Sequence, residues 1–203
     1  MIIVVVTALR ELISLGDNMK IIVFEGIDAS GKETQVKLLK DYLMGEGYKV
    51  ETESFPRYDT PVGSLIGKAL RGEVVMEPIA FHLLFDADRA DFQSYIELLD
   101  TRGVDFLILD RYYLSNEAYL LAKGYGTYWM RPLNKELHQP DITFLLDINV
   151  DTSFKRRSIR EDLHEKDYAY LAGVVGAYRY LAAGSESVVT INCDDLTTDK
   201  VFE

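Results

Sequence analysis

Apolar residues along this chain follow two rhythms. Short, nearly continuous runs occur at IIVF (21–24), KVETESF (49–55), DFLILD (105–110), ITFLLDI (142–148) and SVVTIN (187–192). Runs of this length and continuity suit strands buried on both faces of a sheet. Between them lie stretches with helical spacing: Lys32–Gly45, Val62–Arg71, Pro78–Thr101, Leu114–Lys123, Asp151–Arg157 and Asp162–Ala183. Strands that alternate with helices form βαβ units. The pattern therefore predicts an α/β fold, a five-stranded parallel sheet with helices on both faces. No repeat, low-complexity run or linker divides residues 19–203, which read as one domain. The tail CDDLTTDKVFE has room for the start of a closing helix.

Residues 1–18, MIIVVVTALRELISLGDN, stand apart from that alternation. Their apolar run is broken by Arg10 and Glu11, so it is too short to span a bilayer. It lacks the basic start and small-residue cleavage site of a secretory signal. It reads as an extension with a short helix and no chemistry, with a partner-binding or membrane-touching segment as the alternative.

The net charge of -11 argues against sequence-independent binding to DNA or RNA, which needs a basic surface to displace counterions. A small anionic substrate is compatible with it, because a few clustered arginines bind one locally. The single cysteine, Cys193, rules out a disulfide within the chain and a cysteine metal cluster. A reducing, cytoplasmic setting fits. His82, His138 and His164 show no metal-ligand spacing, and no Ser-His-Asp or Cys-His set can be assembled.

The first strand leads into chemistry. Within MKIIVFEGIDASGKETQ (19–35), an apolar run precedes Gly26-Ile27-Asp28-Ala29-Ser30-Gly31, and Lys32 heads a helix. G-x-x-x-x-G-K is the spacing of a P-loop. Small residues let successive N–H groups converge on phosphate oxygens. The helix N-terminus adds partial positive charge, and the lysine reaches the outer phosphates. The spacing alone is a modest signal; its place between strand and helix strengthens it. Glu33 follows the lysine, where a magnesium-binding hydroxyl usually stands. Glu33 suits a first helical turn, favoured by the dipole. Metal contact would then move to Thr34, to Asp28 or to a water shell.

No guanine-reading Asn-Lys-x-Asp is present, since Asn134-Lys135-Glu136-Leu137 lacks the aspartate. Arginines and aromatics cluster near strand ends instead. With FEGIDASGKETQ, FPRY, LLFDADRADF, ILDRYYLSNEAY, PDITFLLD and RRSIREDLHE in that order, the chain from Met19 to about Asn192 resembles the thymidylate kinases, of the nucleoside monophosphate kinase superfamily. The resemblance implies a five-stranded P-loop fold with a mobile lid at about 155–165. It implies in-line transfer of the ATP γ-phosphoryl group to dTMP, without a covalent intermediate. Mg2+ would accompany ATP, and the chain would form a homodimer.

Residue by residue, the resemblance implies that the loop from Gly26 to Thr34 (Gly26, Ile27, Asp28, Ala29, Ser30, Gly31, Lys32, Glu33, Thr34) holds ATP. Lys32, Arg57, Arg111 and Asp28 would carry catalysis, with Arg57 and Arg111 gripping the acceptor phosphate. Guanidinium suits that task, being permanently charged and able to bind bidentately. A salt bridge is the plain alternative for Arg57. The loop carries Ala29 and Ser30 where some relatives place a catalytic arginine. The lid would therefore supply it from Arg156, Arg157 or Arg160, and Arg160 is best placed. Asp110, ending a strand, would position magnesium or orient Arg111. For dTMP, Phe85 would stack on the base, or else fill the core, and Arg89 one turn on would meet the base edge. Asn116 would donate and accept toward the ring. Tyr119 would lie against the sugar, favouring the deoxy form, and Tyr58, Ser115 and the lid-end Glu165 would line the pocket. Tyr112, Tyr113 and Trp129 read as packing. Alternatives to this activity are a broader deoxynucleoside or deoxynucleoside monophosphate kinase, and an inactive nucleotide-binding protein.

Overall fold

The computed structural model describes Val5, residues 18–157 and residues 168–202. Its strands are β1 (Lys20–Glu25), β2 (Val50–Ser54), β3 (Phe106–Asp110), β4 (Ile142–Asp147) and β5 (Val188–Asn192). They form the five-stranded parallel sheet that the sequence pattern predicts, in the order β2-β3-β1-β4-β5. The apolar runs of β1, β3 and β4 occupy the buried middle, while VETES of β2 lies partly exposed at an edge.

Strand geometry sends alternate side chains to opposite faces, and the two cores divide accordingly. Ile22 and Phe24 of β1, with Phe106 and Ile108 of β3, enter one hydrophobic cluster. Ile21, Val23, Leu107 and Leu109 enter the other. The first face is covered by α1 (Lys32–Gly45) and α8 (Tyr168–Ala183), through Leu39, Leu43, Val174 and Tyr178. The second is covered by α4 (Gln93–Thr101), through Ile96 and Leu99. Val5 is buried in the first cluster; the rest of the extension up to residue 17 lies outside the described residues.

The remaining helices are α2 (Pro61–Leu70), α3 (Pro78–Asp91), α5 (Tyr113–Ala122), α6 (Met130–Lys135), α7 (Val150–Arg156) and α9 (Thr198–Phe202). The single helix predicted over Pro78–Thr101 is two. The Phe92 N–H donates to the Arg89 carbonyl (3.2 Å), and the Tyr95 N–H donates to the Phe92 carbonyl (3.0 Å). These i→i+3 bonds tighten the turn where the Phe92 ring drops into the second cluster against Phe55. The six-residue α6 has too few turns for its spacing to stand out in the sequence. The stretch expected to be helical from Asp162 is seen from Tyr168 onward, and the expected lid is described only to Arg157. Among the described residues no helix is long and apolar enough to cross a membrane.

Candidate active site

β1 sits at the centre of the sheet, and its carboxyl end delivers Gly26–Gly31 into a cleft of about 990 Å³. The loop turns through left-handed backbone at Gly26 (φ 140°), Ala29 (φ 62°) and Gly31 (φ 103°). A Cβ on Gly26 would stand 2.6 Å from the Leu146 carbonyl, so both conformation and space demand glycine there. No side chain caps the N-terminus of α1, and its first N–H groups remain for an anion. Lys32 folds back over the loop, Nζ donating to the Ile27 carbonyl (3.1 Å). Burial and the Arg111 guanidinium lower its pKa, against the pull of Asp110, Asp28 and Glu25. Asp28 through Thr34 line the cleft; Gly26 and Ile27 shape the turn behind it. Glu33 and Thr34 are exposed.

Arg111 follows β3 in left-handed backbone (φ 67°), with its N–H donating to the Phe24 carbonyl (2.9 Å). Its Nη1 donates to the Gly26 carbonyl (2.8 Å), and Nη2 pairs with Asp28. The guanidinium also lies 5.8 Å from the Tyr119 ring centre. Behind it stands Glu25, a carboxylate with no solvent exposure at the end of an apolar strand. Glu25 accepts from the N–H of Tyr112 (2.8 Å) and Ser115 (3.2 Å), from the Ser115 hydroxyl, and from Tyr178 (3.1 Å). Burial nonetheless raises its pKa. Glu25 and Tyr178 were not anticipated from sequence. The one available signal was an acid closing an apolar run.

Elsewhere in the cleft Phe85 is half-buried and lines its wall, so it is not core filling. Arg89 is buried to 1% exposure, yet it lines the same cleft. Its Nη1 bonds the Phe85 carbonyl (2.6 Å), and its Nε is buried without a protein partner. Tyr58, Ser115 and Tyr119 also line it. Tyr112 is core, as the packing reading expects.

Two expectations are not met by this geometry. Arg57 does not line the cleft. Its backbone N–H and Nε hold the Asp88 carboxylate (2.9 and 3.0 Å), and its Nη2 donates to the Asp88 carbonyl and to Asp91 (2.8 Å each). The reason is Asp88 itself: a carboxylate with no solvent exposure needs these donors. The salt-bridge reading of Arg57 is the one the geometry favours. Asn116 does line the cleft, but it cannot donate to a ring. Its Nδ2 already donates to the His82 carbonyl (2.9 Å) and to Asp86 (2.7 Å), which uses both amide hydrogens.

Beside the phosphate loop the cleft is bounded by α7 and α9. Ser153 donates to the Asp28 carbonyl (2.8 Å), and Gln35 donates to the Thr198 carbonyl (3.0 Å). Arg156 and Arg157 line the cleft; Arg156 donates to the Cys193 carbonyl (2.6 Å). Arg160 and Glu165 lie outside the described residues. Among the described residues no group of three His, Cys, Asp or Glu side chains converges to hold a metal. Asp110 lines the cleft with a buried Oδ1 that has no protein partner, and Ser30 Oγ is likewise unpartnered. Magnesium suits such a site, because it typically takes one or two carboxylates and completes its shell with phosphate oxygens and water. Asp28 fits less well, being already paired with Arg111.

Residues 24–201 match the family model described as thymidylate kinase. The chain is 36% identical over 148 residues to a thymidylate kinase of Plasmodium falciparum, covering 72% of this chain and 70% of that one. It is 38% identical over 151 residues to a probable thymidylate kinase of Pyrococcus horikoshii, covering 72% and 73%. A solved thymidylate kinase from Candida albicans superposes with a TM-score of 0.78 at 27% identity, covering 91% of this chain and 88% of that one.

Proposed function

The chain belongs to the thymidylate kinase family of nucleoside monophosphate kinases, and from that premise we propose that its cleft joins ATP and dTMP end to end for direct transfer of the γ-phosphoryl group. The observation that carries this is the place of Arg111. It touches the P-loop through Gly26 and Asp28 on one side, and Ser115 and Tyr119 of the acceptor pocket on the other. A fixed cation at that junction stabilises the charge that spreads over the transferring group.

The ATP phosphates lie along the loop and the α1 N-terminus. Lys32 leaves its contact with Ile27 to meet them, and Arg156 and Arg157 flank them. Arg111 holds the acceptor phosphate, whose ionised oxygen is the nucleophile, so no covalent intermediate is needed. Phe85 stacks on the base and Arg89 meets its edge; Tyr119 sits by the sugar. Asp110, with Thr34 also lining the cleft, would hold Mg2+. When bound, the metal neutralises phosphate charge and orients the γ-group.

A coupled assay of ADP release with dTMP, thymidine, dUMP and dGMP tests the reading. We expect turnover with dTMP, and a loss of about 10²-fold or more in kcat for Arg111→Ala. Absence of dTMP-dependent turnover would sink it. The commitment of Arg57 to Asp88 leaves one fewer cation for an acceptor phosphate, which favours a nucleoside acceptor as the second reading. Thymidine in the panel decides between them.

A further inference from the structure

His82 and Asp86 lie on α3, on the same helix face as Phe85 and Arg89, and neither was singled out by the sequence motifs. Both are nearly fully buried, at 3% and 7% exposure. Their contacts determine what Asn116 can offer a ligand. Asn116 Nδ2 lies 2.9 Å from the His82 main-chain carbonyl, a group that can only accept. It also lies 2.7 Å from Asp86 Oδ1. That end of the amide is therefore the NH2, with both hydrogens engaged. The other end, Oδ1, lies 2.6 Å from His82 Nδ1, so His82 carries its proton on Nδ1 and donates it there. Inverting the amide would set its oxygen against a carbonyl and a carboxylate, and its NH2 against an N–H. Burial makes such mismatches expensive.

We infer that His82 and Asp86 are specificity-determining residues that lock the Asn116 amide so that only its carbonyl oxygen can read the base. A carbonyl oxygen has two lone pairs, and His82 takes one. The remaining one selects a pyrimidine that carries a hydrogen on N3, as thymine and uracil do. Cytosine presents a lone pair at N3 and meets oxygen with nitrogen. Asn116 is buried, so its carbonyl oxygen would be left unpaired against that lone pair, and the mismatch is rejected strongly. The inference deepens the proposed function and rests on it. Asn116 acts on the base, whereas His82 and Asp86 act through Asn116.

The test uses the full chain with ATP and four acceptors: dTMP, dUMP, dCMP and N3-methyl-dTMP. Wild type should favour dTMP and dUMP over dCMP and the methylated analogue by at least about a hundredfold in kcat/KM. Asp86→Asn is isosteric but can also donate, so it weakens the bias against the inverted amide, which the His82 carbonyl alone then opposes. It should cut the dTMP:dCMP ratio about tenfold or more. His82→Leu removes the donor and should also lower the ratio, while His82→Asn restores an N–H near the Nδ1 position and should recover it. A merely structural role would change KM for both acceptors together and leave their ratio fixed. Comparable turnover of dCMP or N3-methyl-dTMP by wild type overturns the inference while leaving the kinase reading intact. So does a ratio unchanged in both folded Asp86→Asn and folded His82→Leu. Failure with every acceptor strikes the proposed function instead. The analogue comparison needs no variant, so misfolding of a mutant does not block the test.

Discussion

Lys32 shows how one residue carries both a fold constraint and a pH signature. Its ammonium is buried, and burial with the neighbouring Arg111 lowers its pKa below the ordinary value of 10.5. In its proposed role, Lys32 binds ATP in the charged form. As pH rises through the lowered pKa of the free enzyme, that charge is lost. kcat/KM for ATP should therefore fall on the alkaline side earlier than a solvent-exposed lysine would allow. Lys32→Arg keeps its charge at any working pH, so its residual activity should lack that alkaline limb. A pH profile identical in the two proteins would assign the limb to another group. Arg57 makes the complementary case. Removing its guanidinium leaves the Asp88 carboxylate buried without its ion-pair partner, so Arg57→Ala should cost about 3–5 kcal/mol in denaturant unfolding. Arg57→Ala/Asp88→Ala removes the buried charge as well and should regain much of that stability. If the double variant folds well but loses only its KM for dTMP, Arg57 grips the acceptor phosphate after all.

At the scale of elements, the loop between β2 and α2 is held by its own backbone. Thr60 caps α2, accepting from the Gly63 N–H (3.1 Å) and donating to the Arg57 carbonyl (2.9 Å). A Cβ on Gly63 would fall 1.9 Å from that carbonyl, so Gly63→Ala must push the Arg57 loop away from α2. We expect a loss of about 1–3 kcal/mol by thermal or urea unfolding. KM for dTMP should rise more than KM for ATP, because Tyr58 and Phe55 of this loop line the acceptor end. An equal change in both KM values would refute the loop's link to the acceptor. This element also shows what a sequence can reveal. The sheet was legible because continuous apolar runs at β1, β3 and β4 admit few other structures. The phosphate loop was legible because its glycines serve backbone geometry that hardly varies with context. The fate of Arg57 was not legible, since it depends on a carboxylate 31 positions away that the fold happens to bury. The Asn116 lock was hidden for a related reason. His82 and Asp86 look like ordinary polar residues until α3 and α5 face each other. The split at Phe92 escaped because helical spacing continues across it.

For the whole molecule, the two faces of α3 would connect the proposed site to assembly. One face brings His82, Phe85 and Arg89 to the cleft. The other exposes Ile79 (44%) and Leu83 (41%) one turn apart, and α4 exposes Tyr95 (42%) and Leu98 (39%). Exposed apolar side chains on consecutive helices are material for a subunit interface, and the net charge of -11 makes a nucleic-acid polymer an unsuitable partner. A second copy of the chain is the expected occupant, giving a homodimer of about 800 Å² buried per subunit or more. Light scattering behind size exclusion should return twice the chain mass for wild type and the single mass for Ile79→Glu/Leu83→Glu, with the circular dichroism spectrum retained. Because α3 also positions the residues proposed to meet the base, releasing its outer face should loosen the inner one. KM for dTMP should therefore rise in the charged variant, while KM for ATP, set by α1 and the loop after β1, changes little. A wild-type protein that runs as a monomer at micromolar concentration would defeat the assembly claim. A dissociated variant with unaltered KM for dTMP would show that the two faces of α3 act independently.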